Sequence, residues 1–74
     1  MSGLPVVTPR RLIRALERAG FFVHHVRGSH HYLRHPDRAV LISVPYHNKD
    51  LKRGTLRAIL RHSGITAEEL QQFL

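Results

Sequence analysis

The 74-residue chain contains no cysteine, which excludes a disulfide framework and a thiolate metal site and makes a reducing compartment the simplest setting. Acidic residues are scarce: five Asp and Glu stand against twelve Lys and Arg, leaving a net charge of +7 with every histidine neutral. A surface of that sign favours a polyanion, so nucleic acid is the first partner to consider. No apolar run approaches the roughly 20 residues that a membrane span needs. The opening MSGLPVVTPRRLIRAL also lacks the basic segment and apolar core of a signal peptide. A soluble cytoplasmic protein with no membrane partner is expected. A chain this short buries only a little over half of the surface it exposes when unfolded, which argues for one domain over residues 1–74 and against a large cofactor pocket.

What is present is strongly patterned. Thr8 suits a helix cap, Pro9 the first helical position and Gly20 a left-handed stop. Between them Leu12, Ile13, Leu16 and Ala19 recur at helical spacing, with Arg10, Arg11, Arg14, Glu17 and Arg18 on the remaining surface. From Phe21 the pattern becomes β-rich. The runs FFVHHVR and HHYLRH flank Gly28-Ser29, which fits a two-residue type II′ hairpin; HPDR makes a second turn, and AVLISV is an apolar third strand ended by Pro45. YHNKDLKRG reads as a polar connection, Leu56, Ile59 and Leu60 as a second helix stopped by Gly64, and Thr66 with Glu69 as a capping box for a short last helix carrying Leu70, Phe73 and Leu74. The order α-β-β-β-α-α, with no internal repeat or low-complexity linker, predicts an α+β fold: a small three-stranded antiparallel sheet with helices on one face and the other face wet.

The stretch RGSHHYLRH, residues 27 to 35, then poses a chemical question. With Gly28 and Ser29 as the loop, Arg27 pairs with His30, Val26 with His31 and His25 with Tyr32. Alternation separates His30, Tyr32 and Arg34 from His31, Leu33 and His35. Leu33 belongs with the helices, which leaves His30 on the open face with Arg27, His25, Tyr32 and Arg34. FFVHHV does not alternate cleanly, and a bulge there changes which of His24 and His25 faces out.

Three readings of this patch compete. A metal site needs three or four converging ligands, and without cysteine or an H-x-x-x-H helix none is expected. Histidines that merely decorate a solvated strand account for His24, His35 and His62 individually, the last also favoured by its place near a helix C-terminus. The third reading is metal-independent RNA cleavage. Imidazole titrates near neutrality and can take a proton from a ribose 2′-hydroxyl or return one to a departing 5′-oxygen. Arginines would hold the phosphate, and Tyr32 would stack on a base, unless it is spent on a cross-strand aromatic contact. Composition alone ranks cleavage no higher than simple RNA binding.

At this point GSHHYLRHP (28 to 36), followed by SVPYHNKDLKRGTLRAILRHSGI (43 to 65), resembles the HicA-type toxin family of bacterial toxin-antitoxin systems. The likeness runs from LIRALERAGF to ITAEEL, almost the whole chain, and lies in the order G-S-H-H, H-P, V-P-x-H, G-T-L-R-x-I-L and a closing Gly. The resemblance implies a fold like a double-stranded-RNA-binding domain. It also implies a small basic ribonuclease that cleaves messenger RNA without a cofactor, arrests translation and is neutralised by a HicB-type antitoxin. The family's essential histidine, directly after G-S, falls on His30, and Gly28 matches the glycine whose turn presents it. Members with G-S-N-H move the histidine one place, which makes His31 a possible substitute. His47 and Lys49 match the V-P-x-H region in type.

The expectation is therefore a toxin endoribonuclease with His30 as general acid or base. Arg27, Arg34 and Lys49 hold phosphate, Gly28 and Ser29 form the presenting turn, and Tyr32 contacts RNA. No metal, cofactor or DNA binding is expected. Arg10, Arg11, Arg14 and Arg18 read as a solvated helix face, while Lys49, Lys52 and Arg53, in a loop, are better placed for phosphate. Leu41, apolar on the wet face, suggests a surface that the antitoxin covers. Two other classes stay open: a non-catalytic RNA-binding adaptor, and a protein-interaction subunit whose basic face meets an acidic partner.

Overall fold

A computed structural model describes residues 3–74. The elements follow in the order α1 (Pro9–Arg18), β1 (Phe22–Arg27), β2 (His30–His35), β3 (Arg38–Pro45), α2 (Arg53–Ser63) and α3 (Ala67–Phe73).

Local chemistry sets the boundaries. The Thr8 hydroxyl oxygen accepts from the Arg11 N–H at 3.3 Å, and Pro9 occupies the first helical turn where its missing N–H costs nothing. At the other end Gly20 adopts φ +103°. Its N–H donates to the Glu17 carbonyl, and the Phe21 N–H to the Leu16 carbonyl, both at 3.0 Å, the paired bonds of a Schellman stop. Gly64 ends α2 at φ +74°, and Thr66 and Glu69 satisfy each other's backbone N–H groups to start α3.

The sheet is antiparallel in the order β1-β2-β3. Helices α1 and α2 pack on one of its faces and α3 packs on α1, as in a double-stranded-RNA-binding domain. Leu12 and Leu16 of α1, Leu33 of β2, Ile42 and Val44 of β3, Leu56 of α2 and Leu70 of α3 are all essentially inaccessible to water. Burying a side chain of this size contributes about 1.5–3 kcal/mol, so the helices are held where the open face cannot contact them.

Three features depart from the sequence reading. Residues 46–52 are not a purely polar connection: Leu51 is buried, and its N–H donates to the Val7 carbonyl at 2.8 Å, tying the segment before α1 to the segment before α2. Phe21 precedes β1 and is buried, whereas Phe22 begins the strand and is 44% exposed. Two arginines are structural. Arg38 donates to the Ser63 carbonyl and Arg18 to the Phe73 carbonyl, each at 2.6 Å, which satisfies carbonyls that the ends of α2 and α3 leave open.

Candidate functional site

The site begins at the β1–β2 turn. Gly28 has φ +59°, and among the described residues no non-glycine residue has positive φ, which is the type II′ pattern, positive only at the first loop position. Arg27 pairs with His30, Val26 with His31 and His25 with Tyr32, but Val23 pairs with Leu33. His24 is therefore the extra residue of a β-bulge. The bulge lets Val23 turn to the helices while His25 and Phe22 both stay on the open face, the reason FFVHHV does not alternate. On the other side His30 pairs with Pro45, Tyr32 with Ser43 and Arg34 with Leu41. The open face thus carries three cross-strand rows: Arg27, His30 and Pro45; His25, Tyr32 and Ser43; Phe22, Arg34 and Leu41.

Arg27 and His30 are exposed neighbours in the first row, so a guanidinium and an imidazole face the same volume of solvent. The His30 ring lies 6.4 Å from that of Tyr32. Tyr32 is stacked on His25, with centroids 4.5 Å apart and planes 8° from parallel. The His25 Nδ1 in turn sits 2.8 Å from the His24 Nδ1. Two such nitrogens can share only one proton, so one ring donates and the other accepts at that contact. The result is a string of rings, His24, His25, Tyr32 and His30, across the face. His25 stands on the open face opposite Tyr32, as the hairpin register predicts, and the bulge expected in FFVHHV falls at His24.

Arg34 shares the face but not the neighbourhood. Four residues of extended strand separate it from His30, roughly 13 Å at about 3.3 Å per residue, and it stands between the exposed apolar side chains of Phe22 and Leu41. One phosphate cannot be gripped beside His30 by Arg27 and Arg34 together. Lys49 belongs to the loop that starts at the His30 end. The Tyr46 N–H donates to the Ser29 carbonyl at 2.6 Å, so the loop after β3 departs from the hairpin tip itself. It then curls, with the Lys49 N–H donating to the His47 Nδ1 at 3.1 Å, and leaves Lys49 exposed.

The remaining histidines have other surroundings. His31 faces the helix side, partly buried, stacked on Tyr46 at 4.1 Å, with its Nδ1 buried and without a hydrogen bond. His35 meets the Phe21 ring edge-on at 4.9 Å, and its Nδ1 accepts from the Asp37 N–H at 3.1 Å. His62 is exposed in the last turn of α2. Among the described residues no three His, Asp or Glu side chains are grouped to hold a metal ion, and no helix is long and apolar enough to cross a membrane.

The family model described as HicA toxin of bacterial toxin-antitoxin matches residues 9–65, a span that takes in α1, the whole sheet and α2. No curated protein matches the chain.

Proposed function

Since the chain belongs to the HicA toxin family of bacterial toxin-antitoxin systems, we propose that it is an endoribonuclease that cleaves messenger RNA without a metal ion, using His30 to move the proton. The 2′-oxygen of a ribose attacks the adjacent phosphorus, and the bond from phosphorus to the 5′-oxygen breaks. The products are a 2′,3′-cyclic phosphate on one fragment and a 5′-hydroxyl on the other. His30 either takes the 2′-proton or supplies the one that the 5′-oxygen needs; such general acid–base assistance is worth about 10²- to 10⁴-fold in rate. Arg27, in the same cross-strand row, steadies the negative charge that grows on the phosphate, and Lys49 reaches in from the loop that starts at the hairpin tip. Arg34, farther along β2, holds the RNA strand away from the scissile bond, and Tyr32 offers a base the ring face that His25 leaves free. A HicB-type antitoxin is the neutralising partner.

The observation that carries this reading is the pairing of an exposed His30 with an exposed Arg27 at the tip of a hairpin, in a chain of this family. The test is to map RNA ends after incubation with wild type and His30→Ala in the presence of EDTA. Wild type should leave cyclic phosphate ends, and His30→Ala should lose at least about a hundredfold in rate with an unchanged melting temperature, since the side chain is exposed. Cleavage by His30→Ala at near wild-type rate would overturn the assignment. Salt-sensitive binding of RNA that is recovered intact from wild type would mark an adaptor instead.

A further inference from the structure

β3 is an outer strand of the sheet, and its register decides what its free side offers. Arg27 and His30 flank a two-residue loop, so they form a hydrogen-bonded pair, and such pairs alternate along the ladder. Tyr32 and Arg34 then direct their backbone groups to β1. His31 and Leu33 direct theirs to β3, where their partners are Val44 and Ile42. The bond from the Tyr46 N–H to the Ser29 carbonyl continues the same ladder. Leu41 and Ser43 therefore turn their N–H and C=O groups away from the sheet, two donors and two acceptors in line.

Native sheets commonly blunt such an edge with charge, with bulges or with a cover. Here the middle of the strand, AVLISV, is uncharged, and Leu41 is 46% exposed. Between this edge and α2 lies an open groove of about 560 Å³, lined by Leu41, Ser43, Gly54, Thr55, Ala58 and His62. Its room comes from the small residues Gly54 and Ala58, one helical turn apart. Immediately beside that row run Arg53, Arg57 and Arg61 at the same spacing, with no acidic residue from Leu51 to Ala67.

We propose that an extended, acidic segment of the antitoxin adds to the free edge of β3 as a fourth strand. Its alternate side chains fill the groove against α2, and its carboxylates meet the Arg53, Arg57 and Arg61 row. The mode is strand addition, in which backbone bonds supply affinity and pockets supply selectivity. A polypeptide fits because the edge presents donors and acceptors in alternation. Phosphate oxygens only accept, so an RNA backbone would leave the Leu41 and Ser43 carbonyls unmatched by its phosphates. A second copy of the chain would bring a charge of +7 against +7. The inference rests on the antitoxin pairing proposed above and is independent of what His30 does.

The test uses the full-length toxin and its cognate antitoxin. Amide hydrogen exchange at Leu41 and Ser43 should be fast in the free toxin and strongly slowed in the saturated complex. Gly54→Glu and Ala58→Glu narrow the groove and oppose an acidic partner, and each should weaken antitoxin binding by about tenfold or more while RNA cleavage stays at the wild-type rate. Gly54 is exposed with open space around it, so its variant remains decisive if Ala58→Glu does not fold. Undiminished affinity in Gly54→Glu, or fast exchange of both amides in the complex, would overturn the proposal, as would protection of these amides by RNA rather than by the antitoxin. A wild-type toxin that binds antitoxin but cuts no RNA would count against the proposed ribonuclease and leave this measurement intact.

Discussion

His25 lies face to face with Tyr32 across the first hairpin, ring centroids 4.5 Å apart and planes 8° from parallel. The two-residue turn sets this contact, since His25 and Tyr32 pair in the register that starts at Arg27 and His30, and the bulge at His24 then returns Val23 to the helix face beyond them. One face of the phenol ring is thereby committed to the sheet.

Tyr32→Phe should preserve both that contact and base stacking, with RNA affinity close to wild type. Tyr32→Leu should lower stability by about 1 kcal/mol through the lost cross-strand pair. It should also weaken binding of single-stranded RNA by about 1–3 kcal/mol. Fluorescence anisotropy and thermal melting separate the two effects. Wild-type RNA affinity in Tyr32→Leu would assign the tyrosine to the sheet alone.

The separation of Arg27 from Arg34 predicts different kinetic signatures. Arg27→Ala should reduce kcat by about 10²- to 10³-fold, the size expected when charge stabilisation at the reacting phosphate is lost. Arg34→Ala should chiefly raise KM if, as proposed, Arg34 grips the strand equally in ground and transition states. Steady-state rates on a short RNA decide the matter. A kcat defect in Arg34→Ala as large as that in Arg27→Ala would mean that RNA lies along β2 differently.

Two glycines with positive φ should respond unequally to the same change. Gly28 has open space where a Cβ would stand, so Gly28→Ala pays only for its φ of +59°, about 1–2 kcal/mol. At Gly20 a Cβ would come within 2.8 Å of the His35 Nε2, at φ +103°. Gly20→Ala must displace the ring that packs on Phe21 and should cost clearly more. Denaturant titrations of both variants measure the order; equal costs would show that His35 yields freely.

The parts of this molecule that could be read in advance are those encoded within a few residues. Thr8-Pro9 and Gly20 bound α1, Gly28-Ser29 sets the hairpin register, and Thr66 with Glu69 starts α3, each through contacts at short sequence separation. The position of His30 on the open face beside Arg27 follows from that register. What could not be read depends on distant partners. The course of β1 before His24 is decided by where Val23 meets Leu33 and the helices. Val7 and Leu51 lie in segments with no period to announce them, and both are buried in the core where the Leu51 N–H bonds the Val7 carbonyl. Arg18 and Arg38 count as surface charge in any composition, yet both close helix ends across long stretches of chain. The distance between Arg34 and His30 was implicit in strand geometry, but alternation alone groups them on one face without saying how far apart they stand.

The Tyr46 N–H bond to the Ser29 carbonyl joins the hairpin tip to a residue that the ribosome adds well after the turn itself. A lone two-stranded ribbon is at best marginal in water, so a nascent chain that has emerged only as far as His35 owns the histidine without a settled place for it. The third strand and its outgoing loop supply the bond that fixes the tip. Premature termination before Pro45 should therefore yield a harmless fragment rather than a weakened toxin, and the cell is exposed to the hazard only once translation has passed that point.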